Sequence, residues 1–181
     1  MKTILSTILV VLAAAGAHTA QASTTITVAL SAGGGTTACT FNASSFTDGF
    51  TTAGIAATAI GIATPGAGSG KIRPVDVTVK KLVDKCSAPL FAHLVNSNDF
   101  STVTITVSAP LGVTVAPVLS VTMTNAMVTA INHSDGTGDD APIEVDTFSY
   151  ETIKIVYVGQ GSGQGSTVTC SSKTQSCSVL L

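Results

Sequence analysis

Four cysteines, a short series of acids and three histidines are the residues through which this 181-residue chain could do chemistry. Cys39, Cys86, Cys170 and Cys177 show no C-x-x-C spacing, and His18, His93 and His133 do not cluster, so neither a metal nor a cofactor is expected. Disulfides are the chemistry that remains. Cys170 and Cys177 flank SSKTQS between two short β-prone runs, as in a cross-linked hairpin, and that choice pairs Cys39 with Cys86; four cysteines nevertheless permit three pairings.

The other constellations are incomplete. His133-Ser134-Asp135 sets the residue types of a hydrolytic triad side by side, but a triad needs convergence in space on rigid elements, and adjacency in one loop reads as a polar turn. Asp135-Gly136-Thr137-Gly138-Asp139-Asp140 alternates oxygen ligands without the distal bidentate Glu of a calcium loop. Glu144, Asp146 and Glu151 are acids that could be paired for glycoside chemistry, and Glu144 and Asp146 share a strand face, yet the chain has no tryptophan to stack a sugar. Ser31 to Gly35 lacks the Gly-Lys-Ser/Thr of a phosphate loop, and His93 reads as a surface or partly packed helix residue. No catalytic residue emerges, so the chain is not expected to be an enzyme.

The elements that must position these groups are mostly strands. Thr24–Leu30, Thr36–Phe46, Phe50–Ala63, Lys71–Leu82, Thr102–Val107, Val118–Ile131 and Ile143–Val158 read as extended segments, with a turn signal at Thr47-Asp48-Gly49. In the fourth, Val75, Val77 and Val79 share one face while Asp76, Thr78 and Lys80 take the other. One short helix follows, with Ser87 as its N-cap, Pro89 in its first turn, and Leu90, Phe91, Leu94 and Val95 on one face. Being only two to three turns long, it must pack on the sheet. The fold class is therefore mainly β, an antiparallel barrel or sandwich with one short α-helix.

The ends are read separately. MKTILSTILVVLAAAGAHTAQA combines Lys2, a short apolar run and Ala20-Gln21-Ala22, the pattern of a signal peptide over residues 1–22, cleaved after Ala22. Its apolar run falls short of the about 20 residues of a membrane anchor, and no later segment is long enough, so the expected location is secreted, extracellular or periplasmic, with no membrane span after cleavage. Residues 23–158 form one β domain, 159–166 (GQGSGQGS) a linker, and 167–181 a tail with the Cys170/Cys177 hairpin. The formal net charge of −2, with 10% charged residues, gives no basis for capturing nucleic acid. Charge is nonetheless segregated: Lys71 to Lys85 holds the basic residues Lys71, Arg73, Lys80, Lys81 and Lys85, and Asp135 to Glu151 is exclusively acidic among its charges.

Several segments resemble the haemolysin-coregulated protein (Hcp) family of type VI secretion. Pro74–Val79 is similar to the family's strand before its helix, Val83-Asp84-Lys85 with Ser87 and Pro89 to its Asp-Lys-x-Ser-Pro element, and Leu90–Val95 to the helix. Val118–Ile131 resembles the Leu-Thr-x-Val strand, His133–Pro142 the polar Gly-rich loop, and Glu144–Tyr157 the last strand. Towards the N-terminus, Ser45-Phe46-Thr47-Asp48-Gly49 stands for the Ser-Phe-x-Trp-Gly segment. The resemblance implies an Hcp-like β-barrel that self-assembles into hexameric rings, stacking into a tube whose lumen holds effectors, with spike or effector proteins as further partners. Rings of this kind need heterologous contacts, so the acids Asp135, Asp139, Asp140 and Glu144 are expected to meet Lys71, Arg73, Lys80 and Lys81 of a neighbour. The alternative is an exported Hcp-like binding module at the cell surface.

Overall fold

Alternation of β-branched and polar residues sets the strands, and the core is built from their inward faces. The computed structural model describes residues 23–33, 37–53, 71–111, 114–134, 142–158 and 165–181, with backbone alone at 51–53 and 71–74. The signal-like residues 1–22, the segment 54–63 of the expected third strand, the acids Asp135, Asp139 and Asp140, and most of the glycine-rich linker lie outside the described residues.

Among the described residues the elements are β1 (Thr25–Ser31), β2 (Thr37–Ala43), β3 (Ser45–Ala53), β4 (Lys71–Leu82), α1 (Ser87–Asn96), β5 (Asp99–Leu111), β6 (Thr114–Ser134), β7 (Ile143–Ser149), β8 (Thr152–Tyr157), β9 (Ser166–Ser171) and β10 (Ser176–Leu180). All pairings are antiparallel. One path runs β10-β9-β8-β6-β5-β1-β2, and a branch runs from β6 through β7 and β4 to β3. The two arms fold over one core containing Val28, Leu30, Val77, Val79, Phe100, Val103, Ile105, Val121, Met123, Phe148 and Ile153, so the architecture is mainly β with one helix, as expected. The hydrogen-bonded path branches instead of closing into one ring.

Several boundaries depart from the sequence reading, each where a strand changes partner. The expected strand Thr36–Phe46 is broken at Ser44, whose backbone N and Oγ both donate to Lys80 O, at 2.8 and 3.0 Å; the chain there leaves β1 and joins β4. Thr47-Asp48-Gly49 is not a turn but continues β3 opposite a bulge in β4, where Asp76 and Val77 face Asp48 alone. The expected strand Ile143–Val158 divides at Tyr150 and Glu151 into β7 and β8. Opposite that break, Asn125 takes a left-handed φ of 48° and its Nδ2 donates to Glu151 Oε2 at 2.7 Å, which lets β6 bend across both arms.

Helix α1 starts one residue earlier than its polar signal suggested. Cys86 occupies the N-cap position without a side-chain cap, and Ser87 is the first helical residue. Leu90 is buried and Leu94 half-buried, whereas Phe91 and Val95 are exposed, so the apolar stripe is narrower than the expected four residues. The helix ends at Ser97, left-handed, whose N–H donates to Leu94 O. Beyond the linker, the tail extends the sheet: β9 begins at Ser166 and pairs with β8, and β10 pairs with β9.

Candidate functional site

Three adjacent strands place charge on the buried face of the sheet. In the β4–β7 register Lys81 stands opposite Glu144, and in the β6–β7 register His133 stands opposite the same Glu144. Lys81 Nζ lies 2.8 Å from Glu144 Oε1, with both side chains fully buried. His133 Nε2 and Glu144 Oε2 are also 2.8 Å apart, and the His133 ring is about half exposed, so the row runs from the core to solvent.

Lys81 is satisfied as an ammonium. Nζ donates to Leu82 O at 3.2 Å, Asp84 Oδ1 at 2.9 Å and Ser87 Oγ at 2.9 Å, and sits 5.0 Å from the centroid of the Phe41 ring. Asp84 Oδ1 also accepts from Cys86 N at 2.8 Å, and Ser87 Oγ from Asp84 N at 3.1 Å. Burying an unpaired cation costs several kcal/mol, so the turn between β4 and α1 is shaped to surround this one with oxygen. Asp84 and Ser87, the acid and the serine of the Asp-Lys-x-Ser-Pro element, thus act by solvating Lys81.

The second acid on that face is held differently. Both carboxylate oxygens of Asp146 are buried without a hydrogen-bond partner. Burial, and then the charge of Glu144, push its carboxyl up to about 7. For Glu144 burial acts upward too, but the neighbouring Lys81, His133 and Ser87 outweigh it and hold the carboxyl below its ordinary range. One cation therefore faces two acids, of which one is ionised and the other retains a proton up to near neutrality.

This geometry corrects part of the expected assembly surface. Lys81 and Glu144 pair inside their own subunit and are inaccessible to a neighbour. Lys80 does face solvent, and Lys71 and Arg73 enter β4 opposite Ala53 and Thr51. Val75, expected on the face of Val77 and Val79, is exposed beyond the bulge, but the alternation of Val77 and Val79, carried one step further, puts Lys81 inward; that was the available signal for a buried lysine.

The remaining candidates are structural. The His133 ring reaches Glu144, not Ser134. His93 stacks on Phe100, with ring centroids 3.8 Å apart and planes at 14°, and its Nδ1 is 3.3 Å from Asn98 O. Among the described residues no group of three or more His, Cys, Asp or Glu side chains could hold a metal, and a cavity of about 350 Å³ lined by Thr24, Thr25, Ile26, Asn42, Ala43 and Ser44 contains no ionisable side chain. The cysteines pair as Cys39–Cys86 and Cys170–Cys177.

An antiparallel β fold with one helix between β4 and β5, its strands β4, β7 and β6 tied by Lys81, Glu144 and His133, defines a mainly β class of protein. The chain belongs to the family described as "Type VI secretion system effector, Hcp", whose model matches residues 52–157. It is an Hcp-type protein of type VI secretion. Solved structures share the fold. One described as a type six secretion system protein is 21% identical, with a TM-score of 0.70, covering 85% of this chain and 99% of the other. Hcp1 of the E. coli EAEC 042 pathovar, solved as a mutant, is 12% identical with a TM-score of 0.65, covering 82% and 98%. Hcp1 of Salmonella typhimurium is 17% identical with a TM-score of 0.61, covering 84% and 97%. No curated protein matches the chain.

Proposed function

We propose that this protein is an exported structural subunit of the Hcp type that self-assembles into hexameric rings able to stack into tubes, associated with type VI secretion. The observation that carries the reading is the family match over residues 52–157 on a fold shared with Hcp structures along nearly their whole length. The work of such a subunit is done by its surfaces, with spike or effector proteins as further partners. The leader-like residues 1–22 and the two disulfides point to maturation in an oxidising compartment, and the location follows as periplasmic or extracellular.

The layout of β4 supports a head-to-tail contact. Lys71 and Arg73 stand at its start, whereas its far end, Leu82, pairs with Ile143 just past the loop that carries Asp135, Asp139 and Asp140. A strand of 12 residues separates the two ends by roughly 35 Å or more, so stacking brings acids of one copy to bases of the next. Lys80 stands at the far end of β4, opposite Val145, and Lys81 and Glu144 are buried, so the basic end of this contact is Lys71 and Arg73. Exposed ion pairs contribute about 0.2–1 kcal/mol each, so they set register more than affinity.

Light scattering after size-exclusion chromatography, with negative-stain microscopy of the chain from Ser23 onward, tests the reading: rings are expected, and a strict monomer at high concentration overturns it. Asp139→Lys with Asp140→Lys is expected to weaken stacking at low salt. A second reading, an exported binding module at the cell surface, draws on the same leader and disulfides; a monomer whose melting shifts with a protein or glycan ligand would select it.

A further inference from the structure

Lys81 and Glu144 meet under conditions that ordinary salt bridges lack. They are direct cross-strand neighbours, both side chains are fully buried, and Nζ is 2.8 Å from Oε1 under the face of Phe41. A second carboxyl, Asp146, lies two residues along the same strand face with both oxygens buried and no hydrogen-bond partner, so nothing on its own side of the seam accounts for its presence. Amine, carboxyl and an additional acid enclosed between two strands are the ingredients of amide condensation. Holding the reacting groups together in a site closed to water replaces a bimolecular encounter by an effective concentration of about 10⁵ M or more.

We propose that Lys81 and Glu144 condense autocatalytically into an amide that joins β4 to β7 covalently. Lys81 Nζ first gives a proton to Glu144 Oε1, 2.8 Å away, so that a neutral amine faces a neutral carboxyl. The free amine attacks Cδ of Glu144, forming the C–N bond, while the C–Oε1 bond breaks. Oε2 remains as the amide oxygen, already held by His133 Nε2 at 2.8 Å. Of the three hydrogens on the original ammonium, one stays on the amide nitrogen and two leave on Oε1 as water, the first by the direct transfer and the second through Asp146, which ends as it began. Asp146 retains its proton to near neutral pH, as the acid that protonates the departing oxygen must. His133, half exposed, marks the side on which the water departs.

The bond would add a third covalent tie beside Cys39–Cys86 and Cys170–Cys177, and unlike those it survives reduction. The test is the intact mass of the full chain, folded, incubated at neutral pH and then reduced. The expected result is a species lighter than the sequence by one water, yielding on proteolysis a branched peptide that links the Lys81 and Glu144 segments. Lys81→Met is expected to restore the full mass. Should that variant fail to fold, Asp146→Asn keeps both reacting groups, and the lighter species is expected to appear at least tenfold more slowly after refolding. A full-length mass after prolonged incubation overturns the proposal. So does a water loss that maps to Asp135-Gly136, where succinimide formation changes the mass equally, and an unchanged rate in Asp146→Asn removes Asp146 from the step.

Discussion

Cys39 on β2 and Cys86 at the start of α1 are joined across 47 residues of chain, with their Cα atoms 5.9 Å apart and Cys86 fully buried. Cys86 Sγ also lies 3.5 Å from Thr40 O, so the bridge fastens the helix entrance over β2, the last strand of its path.

Loop length ranks the two disulfides. Replacing Cys39 and Cys86 together by serine is expected to lower unfolding free energy by about 4 kcal/mol, against about 2 kcal/mol for Cys170 and Cys177, whose separation is 7 residues. Urea denaturation of the two double variants checks the order.

Neighbouring lysines on β4 should behave oppositely. Lys81→Ala leaves Glu144 buried without its cation and is expected to cost about 3–5 kcal/mol, whereas Lys80→Ala, at an exposed site, should stay within about 0.5 kcal/mol. Denaturation midpoints separate them, and equal effects would refute the assignment of Lys81 to the core.

Stability should fall as pH rises towards neutrality through Asp146. In the unfolded chain this carboxyl ionises near its ordinary 3.8, while in the fold burial and then Glu144 push it up to about 7. The folded state therefore binds the proton more tightly; the resulting stabilisation is complete below the lower value and is lost as pH climbs through the upper one. Asp146→Asn is expected to flatten melting temperature between about pH 4 and 7 and to raise it at neutral pH.

Tyr150 sits at the break between β7 and β8, and its hydroxyl donates to Val75 O at 3.0 Å across to β4. Burial, then the charges of Asp48 and Asp76, push the phenol up to about 12, so it stays a neutral donor through physiological pH. Tyr150→Phe is expected to cost about 1–2 kcal/mol by leaving that carbonyl unpaired, measured by thermal or urea unfolding. In the parent chain, ultraviolet titration should show one tyrosine ionising late.

Local pattern made much of this legible. The inward set Val77, Val79, Val103 and Ile105 follows from alternation alone, and all four are fully buried. Two of the helix residues, Phe91 and Val95, were misplaced because a helix of 10 residues lying on a curved sheet buries a narrower stripe than its periodicity offers. Strand breaks at Ser44 and at Tyr150-Glu151 were invisible, since a change of partner leaves the extended backbone and its residue preferences unaltered.

By itself the sequence determined the β class, the single helix, the motif residues around Asp84 and Ser87, and the segregation of basic from acidic residues. Only the tertiary structure decided which of those charges meet. Lys81 lies more than fifty residues before His133 and Glu144 in the chain, and nothing in their local spacing assigns the three to one row. The register of β4, β7 and β6 does so, and a register is fixed by the packing of whole strands rather than by any residue within them. Sequence supplied a basic strand and an acidic one; folding turned one pair of their charges, Lys81 and Glu144, into a buried ion pair.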